Sequence, residues 1–151
     1  MCVGVEIRDT LVADVNLRAA EAGLENLRAV FANINRDLDR LFPDGRIARL
    51  FINFPDPWWK TRHQKRRLMT ADLAEVLRRK LVVGGLLFFQ SDVWDLALDA
   101  MAILEAEEGL ENRLAPWSFL RGESGFNARS LREDRCAEKS WPIWRMLYAR
   151  R

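Results

Sequence analysis

The sequence is poor in the residues that build covalent or metal-held frameworks, with two cysteines and one histidine among 151 residues. Cys2 and Cys136 stand far apart with no CxxC spacing. That argues against a disulfide scaffold and a zinc site, and it fits a reducing cytoplasm. No apolar run approaches the roughly 20 residues needed to cross a bilayer, so no membrane partner is expected. The opening MCVGVEIRDT carries acids and bases within ten positions and does not read as a secretory signal. There is no internal repeat and no low-complexity tract. A net charge of only +2 excludes a generic polyanion binder, so any affinity for nucleic acid must come from a local patch.

What is present is ordinary for a globular protein: 49% apolar and 30% charged residues, in a length suited to a single domain with a sizeable core. Short apolar runs alternate with helical patterns. CVGVEI (2–7) reads as a buried strand. DTLVADVNLRAAEA (9–22) places apolar residues at 11, 12, 15 and 19, one helical face, with Gly23 as its terminator. A strand is expected at 27–32, a short helix at 35–42 and a turn at PDG (43–45). RIARLFINF (46–54) reads as a strand buried on both faces. Thr70 is placed to cap a helix whose apolar face is Leu73, Val76, Leu77 and Leu81. Gly84-Gly85 should break the chain before a strand at LLFFQ, and a helix should cover 93–108. Beyond Gly109 the pattern supports strands near 112–119 and 142–149 around an irregular stretch.

Alternating strands and helices imply a parallel sheet with right-handed crossovers, and such sheets bind ligands at the carboxyl ends of their strands. Glu6, Asn33 and Asp92 fall at such ends, and Asp56 follows the 46–54 strand by two residues. Glu6 is an acid of the kind that accepts hydrogen bonds from ribose hydroxyls, although it could equally be an exposed turn carboxylate. Asn33 is also a common turn residue. Asp56 is more specific, because Pro55 and Pro57 restrict the backbone on both sides and so aim its carboxylate. KTRHQKRR (60–67) brings five Lys/Arg and His63 to the same edge. Such a run is often a solvated face, but beside a constrained acid it suits the phosphates of a long anionic substrate. Ser130 and Glu133, in SLRE, are spaced as a capping box would be.

FPDPW followed by K-x-R-H-x-K-R-R resembles the tRNA (guanine-N7)-methyltransferase family, which uses S-adenosylmethionine. The matching residues are Asn53 to Trp58, Lys60, Arg62, His63 and Lys65 to Leu68. GVEIR, GLENLRAV, LVVGG-LLFFQSD, SLRE and PIWRMLYAR are similar to further family segments, so the resemblance spans nearly the whole chain. It implies an α/β fold with a Rossmann-like methyltransferase sheet, mostly parallel with an antiparallel C-terminal strand. Relative to the family, the chain starts after the first strand and its glycine-rich turn, so an N-terminally truncated domain is expected. Carried over by position, Glu6 would hold the cofactor ribose, Asn33 would lie near its adenine, and Asp56 would be the active-site acid beside the cofactor. Lys60 and Asp92 would contact the guanine nucleotide, Arg62, His63, Lys65, Arg66 and Arg67 the tRNA backbone, and Ser130 and Glu133 the substrate side. Asn33 stands where the family has Asp, and Ser91 and Ser130 where it has Thr.

The chemistry suits these roles. Guanine N7 carries a lone pair and can attack a sulfonium methyl without prior loss of a proton. The ring becomes cationic, so a fixed carboxylate stabilises the developing charge and can accept from N1–H and the exocyclic amine. The competing reading is a non-catalytic RNA-binding module that keeps the basic edge.

Overall fold

The computed structural model describes residues 1–57, 68–126 and 128–151. They form two compact units, Met1–Leu41 and Phe42–Arg151.

In the first unit, β1 (Cys2–Glu6) and β2 (Leu27–Phe31) pair in parallel, with Glu6 opposite Phe31. Helix α1 (Asp9–Glu21) is the crossover between them and packs on β2. It ends as expected. Gly23 takes φ +65°, its N–H bonds the Ala20 carbonyl, and Leu24 N–H reaches the Ala19 carbonyl. Asn16, on α1, bonds both backbone groups of Ala29 at 2.8 and 2.9 Å, satisfying polar groups of β2 that the ladder leaves over. Helix α2 (Ile34–Leu41) turns Leu38 inward. Strand β1 is not the buried strand expected: every residue is exposed or intermediate. A two-stranded ribbon of five-residue strands has too little sheet to enclose both of its faces.

The second unit holds a four-stranded sheet in the order β3-β4-β6-β5, with β3 (Ile47–Asn53), β4 (Leu81–Ser91), β5 (Leu110–Asn112) and β6 (Trp144–Arg150). Strand β3 is parallel to β4, and β6 is antiparallel to both β4 and β5, so β6 alone runs against the rest. Helices α3 (Ala71–Lys80) and α4 (Trp94–Ala106) join successive strands, and α5 (Leu131–Glu138) precedes β6. The core is Leu73, Leu77, Leu87, Phe89, Leu96, Leu104, Met146 and Tyr148, all at most 4% exposed. Thr70 caps α3 as expected, its hydroxyl accepting from Leu73 N–H at 3.2 Å.

Four expectations need correction. Gly84-Gly85 do not break the chain, because β4 runs through them on a bulge where pairing with β3 jumps from Ile47↔Leu81 to Arg49↔Leu86. The bulge needs both glycines. Gly84 has φ +75°, and a Cβ on Gly85 would sit 2.8 Å from the Val82 carbonyl oxygen. Strand β3 is not buried on both faces: only Ile52 is buried, and Phe51 is 46% exposed against the rings of Phe88 and Phe126. The strand near 112–119 stops at Asn112, whose side-chain Oδ1 takes the Leu114 N–H at 3.1 Å and turns the chain out of the ladder. Finally, α5 occupies part of the stretch read as irregular.

Candidate functional site

The carboxyl ends of β3 and β4 meet the start of β6. Asn53 lies opposite Gln90, and Gln90 lies opposite Arg145, so one rung of three polar residues crosses three strands. The rung is hydrogen-bonded throughout. Gln90 Nε2 donates to Asn53 Oδ1 at 3.0 Å, and Arg145 Nε donates to Gln90 Oε1 at 3.2 Å. Gln90 is 2% exposed, so these bonds satisfy a buried amide.

Asp56 sits three residues beyond the rung. Phe54 N–H bonds the Gln90 carbonyl at 2.8 Å, continuing the β3–β4 ladder by one residue. Phe54 then turns to φ +48°, a left-handed conformation that a bulky residue before proline rarely adopts. Strain of this kind costs of order 1–3 kcal/mol and persists where the surroundings enforce it. It directs Pro55-Asp56-Pro57 away from the strand, and Asp56 is exposed.

Asp92 follows β4 at the same edge, mostly buried, with its side chain 11% exposed. Its Oδ2 accepts from Arg132 of α5, whose guanidinium also lies 5.5 Å over the Trp141 ring. Ser130 caps α5, and SLRE is a complete capping box. The Ser130 hydroxyl accepts from Glu133 N–H at 3.3 Å, and Glu133 Oε2 accepts from Ser130 N–H at 2.8 Å. Glu133 does more than cap. It is 6% exposed, and its Oε1 lies 3.4 Å from Arg145 Nη2. Burial pushes its pKa up, yet the Ser130 N–H, the Gln90 amide, the Ser130 hydroxyl and the Arg145 guanidinium together hold it below the ordinary value. An ionised carboxylate therefore lines a cavity of about 180 Å³, with Arg145, Phe126, Arg129 and Trp141 also in its walls.

In the first unit, Glu6 ends β1 and Ala32 N–H bonds the Glu6 carbonyl at 3.0 Å, which brings Asn33 to the same end of the strand pair. Glu6 Oε1 accepts from the Ile7 and Arg8 amides and from Arg8 Nε, whereas Oε2 accepts from Arg8 Nη2 at 3.2 Å. The Arg8 guanidinium, first among these influences, holds the Glu6 carboxyl below its ordinary pKa. Asn33 caps α2: its Oδ1 accepts from Asn35 N–H at 3.0 Å, and its own N–H is taken by Asp37 at 2.9 Å.

Of the residues singled out in the sequence, the second unit gathers Asp56, Asp92, Ser130 and Glu133 around the ends of its strands, and the first unit gathers Glu6 and Asn33. Lys60, Arg62, His63, Lys65, Arg66 and Arg67 lie outside the described residues. Gln90 and Arg145 escaped the sequence reading as site residues. The rung is a property of register between positions 53, 90 and 145, and no local motif carries it. Among the described residues, no group of three or more His, Cys, Asp or Glu side chains could hold a metal ion. None of their helices is long and apolar enough to cross a membrane.

Comparison with known proteins gives the fold and the family. Residues 1–146 match the family described as "Putative methyltransferase". The chain is 36% identical over 151 residues to the tRNA (guanine-N(7)-)-methyltransferase of Synechococcus elongatus, covering 98% of this chain and 70% of the relative. It is 35% identical over 150 residues to the protein of the same name from Microcystis aeruginosa, covering 97% and 70%. Among solved structures, an rRNA methylase from Streptococcus thermophilus superposes with a TM-score of 0.61 at 12% identity, covering 98% of this chain and 72% of that one. A SAM-dependent methyltransferase from Aquifex aeolicus gives 0.61 at 11% identity, covering 97% and 66%. The two structural likenesses establish a Rossmann-like methyltransferase fold. The sequence matches establish more: the chain belongs to the tRNA (guanine-N(7)-)-methyltransferase family.

Proposed function

We propose that this chain transfers a methyl group from S-adenosylmethionine to N7 of a guanine in tRNA, acting in the cytoplasm as one methyltransferase domain. The observation that carries the reading is the 36% identity to a tRNA (guanine-N(7)-)-methyltransferase over 98% of the chain. FPDPW lies within that span, and its first four residues follow the end of β3, where Asn53, Gln90 and Arg145 line up.

S-adenosylmethionine supplies an electrophilic methyl on a sulfonium. The first unit suits its nucleoside half. Glu6 is an ionised acceptor at a strand end, and its Oε2 takes one bond from among the described residues. A carboxylate oxygen with remaining lone pairs accepts well from a ribose hydroxyl. Capping uses Asn33 Oδ1, which leaves its amide N–H groups suited to a ring nitrogen of adenine. No residue of this chain is assigned to the methionine end. On the substrate side, Asp56 faces the ring that becomes cationic. It acts by charge stabilisation, because N7 has no proton to lose. Asp92 and Glu133 supply further acceptors for guanine N–H groups, with Ser130 beside them. Lys60, Arg62, His63, Lys65, Arg66 and Arg67 bind the tRNA backbone, where cationic side chains neutralise phosphates.

The test is direct. The protein is incubated with tRNA and S-adenosylmethionine, the tRNA is digested to nucleosides, and the products are resolved by mass spectrometry. 7-Methylguanosine is expected; methylation confined to any other position would refute the assignment.

A further inference from the structure

Glu133 satisfies its capping duty with Oε2 alone, since that oxygen takes the Ser130 N–H. A glutamate that only capped a helix could leave its other oxygen in water. Here the whole residue is 6% exposed and lines the cavity. A buried carboxylate stays ionised only if another charge or several donors compensate its lost hydration. Among the described residues, the cation paired with Oε1 is Arg145, whose Nη2 lies 3.4 Å away.

Arg145 is itself held on several sides. Its Nε bonds the buried Gln90, its Nη1 donates to the Gly122 carbonyl at 2.9 Å, and its backbone carbonyl accepts from Leu120 N–H at 2.8 Å. Gln90 can present its oxygen to Arg145 only by turning its amine to Asn53, where Oδ1 accepts it. The guanidinium is thus fixed by β3, β4 and the loop at 120–122, and it delivers that rigidity to a side chain on α5. A planar fork does this better than a flexible ammonium would.

We infer that Arg145 is a positioning residue of the substrate pocket: braced by Gln90 and Gly122, it sets the place of the Glu133 carboxylate at the cavity wall. The inference rests on the proposed function, in which Glu133 meets the guanine nucleotide. Arg145 acts through Glu133, so its loss should matter only while Glu133 is there to be positioned.

A double-mutant cycle tests this with Arg145→Met, Arg145→Lys, Glu133→Gln and the pairwise combinations. Two readouts are taken: kcat/KM for tRNA methylation, and the Kd for guanosine 5′-monophosphate measured by calorimetry. Thermal melting of each variant is recorded alongside. Arg145→Met should lower kcat/KM by about 100-fold, the scale of an ångström-level misplacement. It should weaken the nucleotide by about tenfold or more, as for loss of a bond to a charged group. Arg145→Lys should recover part of both. In the Glu133→Gln background the same Arg145 changes should cost less than about threefold. Equal penalties in both backgrounds overturn the inference, because they mark a merely structural arginine. If Arg145→Met does not fold, the Arg145→Lys and Glu133→Gln pair completes the cycle. Absence of N7 methylation with the nucleotide-binding cycle intact overturns the proposed function and leaves the Arg145 assignment standing. Methylation with additive penalties does the reverse, and a wild-type protein with neither activity nor nucleotide binding overturns both.

Discussion

Replacing Ser130 with alanine separates what SLRE does for the fold from what it does for a substrate. The change removes the oxygen that accepts from Glu133 N–H at 3.3 Å and leaves the reciprocal bond from Ser130 N–H to Glu133 Oε2 in place. Half of the box therefore survives, and the cost should be that of one N-cap, about 1 kcal/mol. An eight-residue helix has little stability of its own, so that amount weighs directly on α5. With a urea m-value of about 2 kcal/mol/M, the unfolding midpoint should fall by about 0.5 M. Ser130→Thr keeps the acceptor and should stay within about 0.3 kcal/mol of the parent. Amide exchange at Glu133 and Asp134 should accelerate in the alanine variant alone. A midpoint unmoved by alanine, or a threonine variant as damaged as the alanine one, would refute the capping argument. Loss of turnover beyond the fraction unfolded would mark an additional contact of the hydroxyl with substrate.

Other outcomes follow from the same geometry. Asp56→Asn removes the charge proposed above to face the cationic ring. It should lower kcat by about 100-fold or more while leaving tRNA affinity near normal in a filter-binding titration; the opposite pattern would contradict the role. Tyr148 is fully buried and its hydroxyl donates to Glu105 Oε1 at 2.9 Å, an oxygen that also accepts from Asn112 and from Trp117 N–H. Tyr148→Phe leaves those two bonds in place, so it should cost about 1.5 kcal/mol in urea unfolding, the lower end for a bond to a charged group. Glu133 has its folded-state pKa held below the ordinary value of 4.5. Its ionisation therefore contributes stability that is present above pH 4.5 and lost as pH falls through the folded value. Glu133→Gln should flatten that part of the acid limb in urea midpoints measured from pH 7 to pH 3, and an unchanged limb would count against the lowering of the Glu133 pKa by the Ser130 N–H and its other partners.

The strand and helix succession was legible because most elements bury one periodic face, as Leu73 and Leu77 do in α3. Caps were legible where one residue type has one local use, as at Gly23 and Thr70. Helix α5 escaped because LREDRCAE is almost wholly polar, and its two buried side chains are Cys136 and the ion-paired Glu133. Its single clue was SLRE, a pattern that fits both a cap and a ligand site. Lys80 shows what composition hides: it sits in the last turn of α3, where a cation suits the helix dipole, yet it is 3% exposed and donates to Asp44 of the PDG turn at 2.6 Å. The long β4 escaped because two glycines normally punctuate a strand, and only pairing with β3 turns them into a bulge. The acids at strand ends were legible from strand boundaries alone. The partners that hold them, Arg132 for Asp92 and Arg145 for Glu133, depend on tertiary placement that spacing does not encode.

The central claim is that the attacking atom is guanine N7. It is tested most directly with two tRNA transcripts that differ only in carrying guanine or 7-deazaguanine, a ring with carbon in place of that nitrogen. Each is given to the protein with S-adenosylmethionine labelled in its methyl group. Label should enter the guanine transcript and be absent from the 7-deazaguanine one, while both transcripts bind with similar affinity. Equal incorporation into both would contradict the account, because a methyl group that does not need N7 does not need the site described for it.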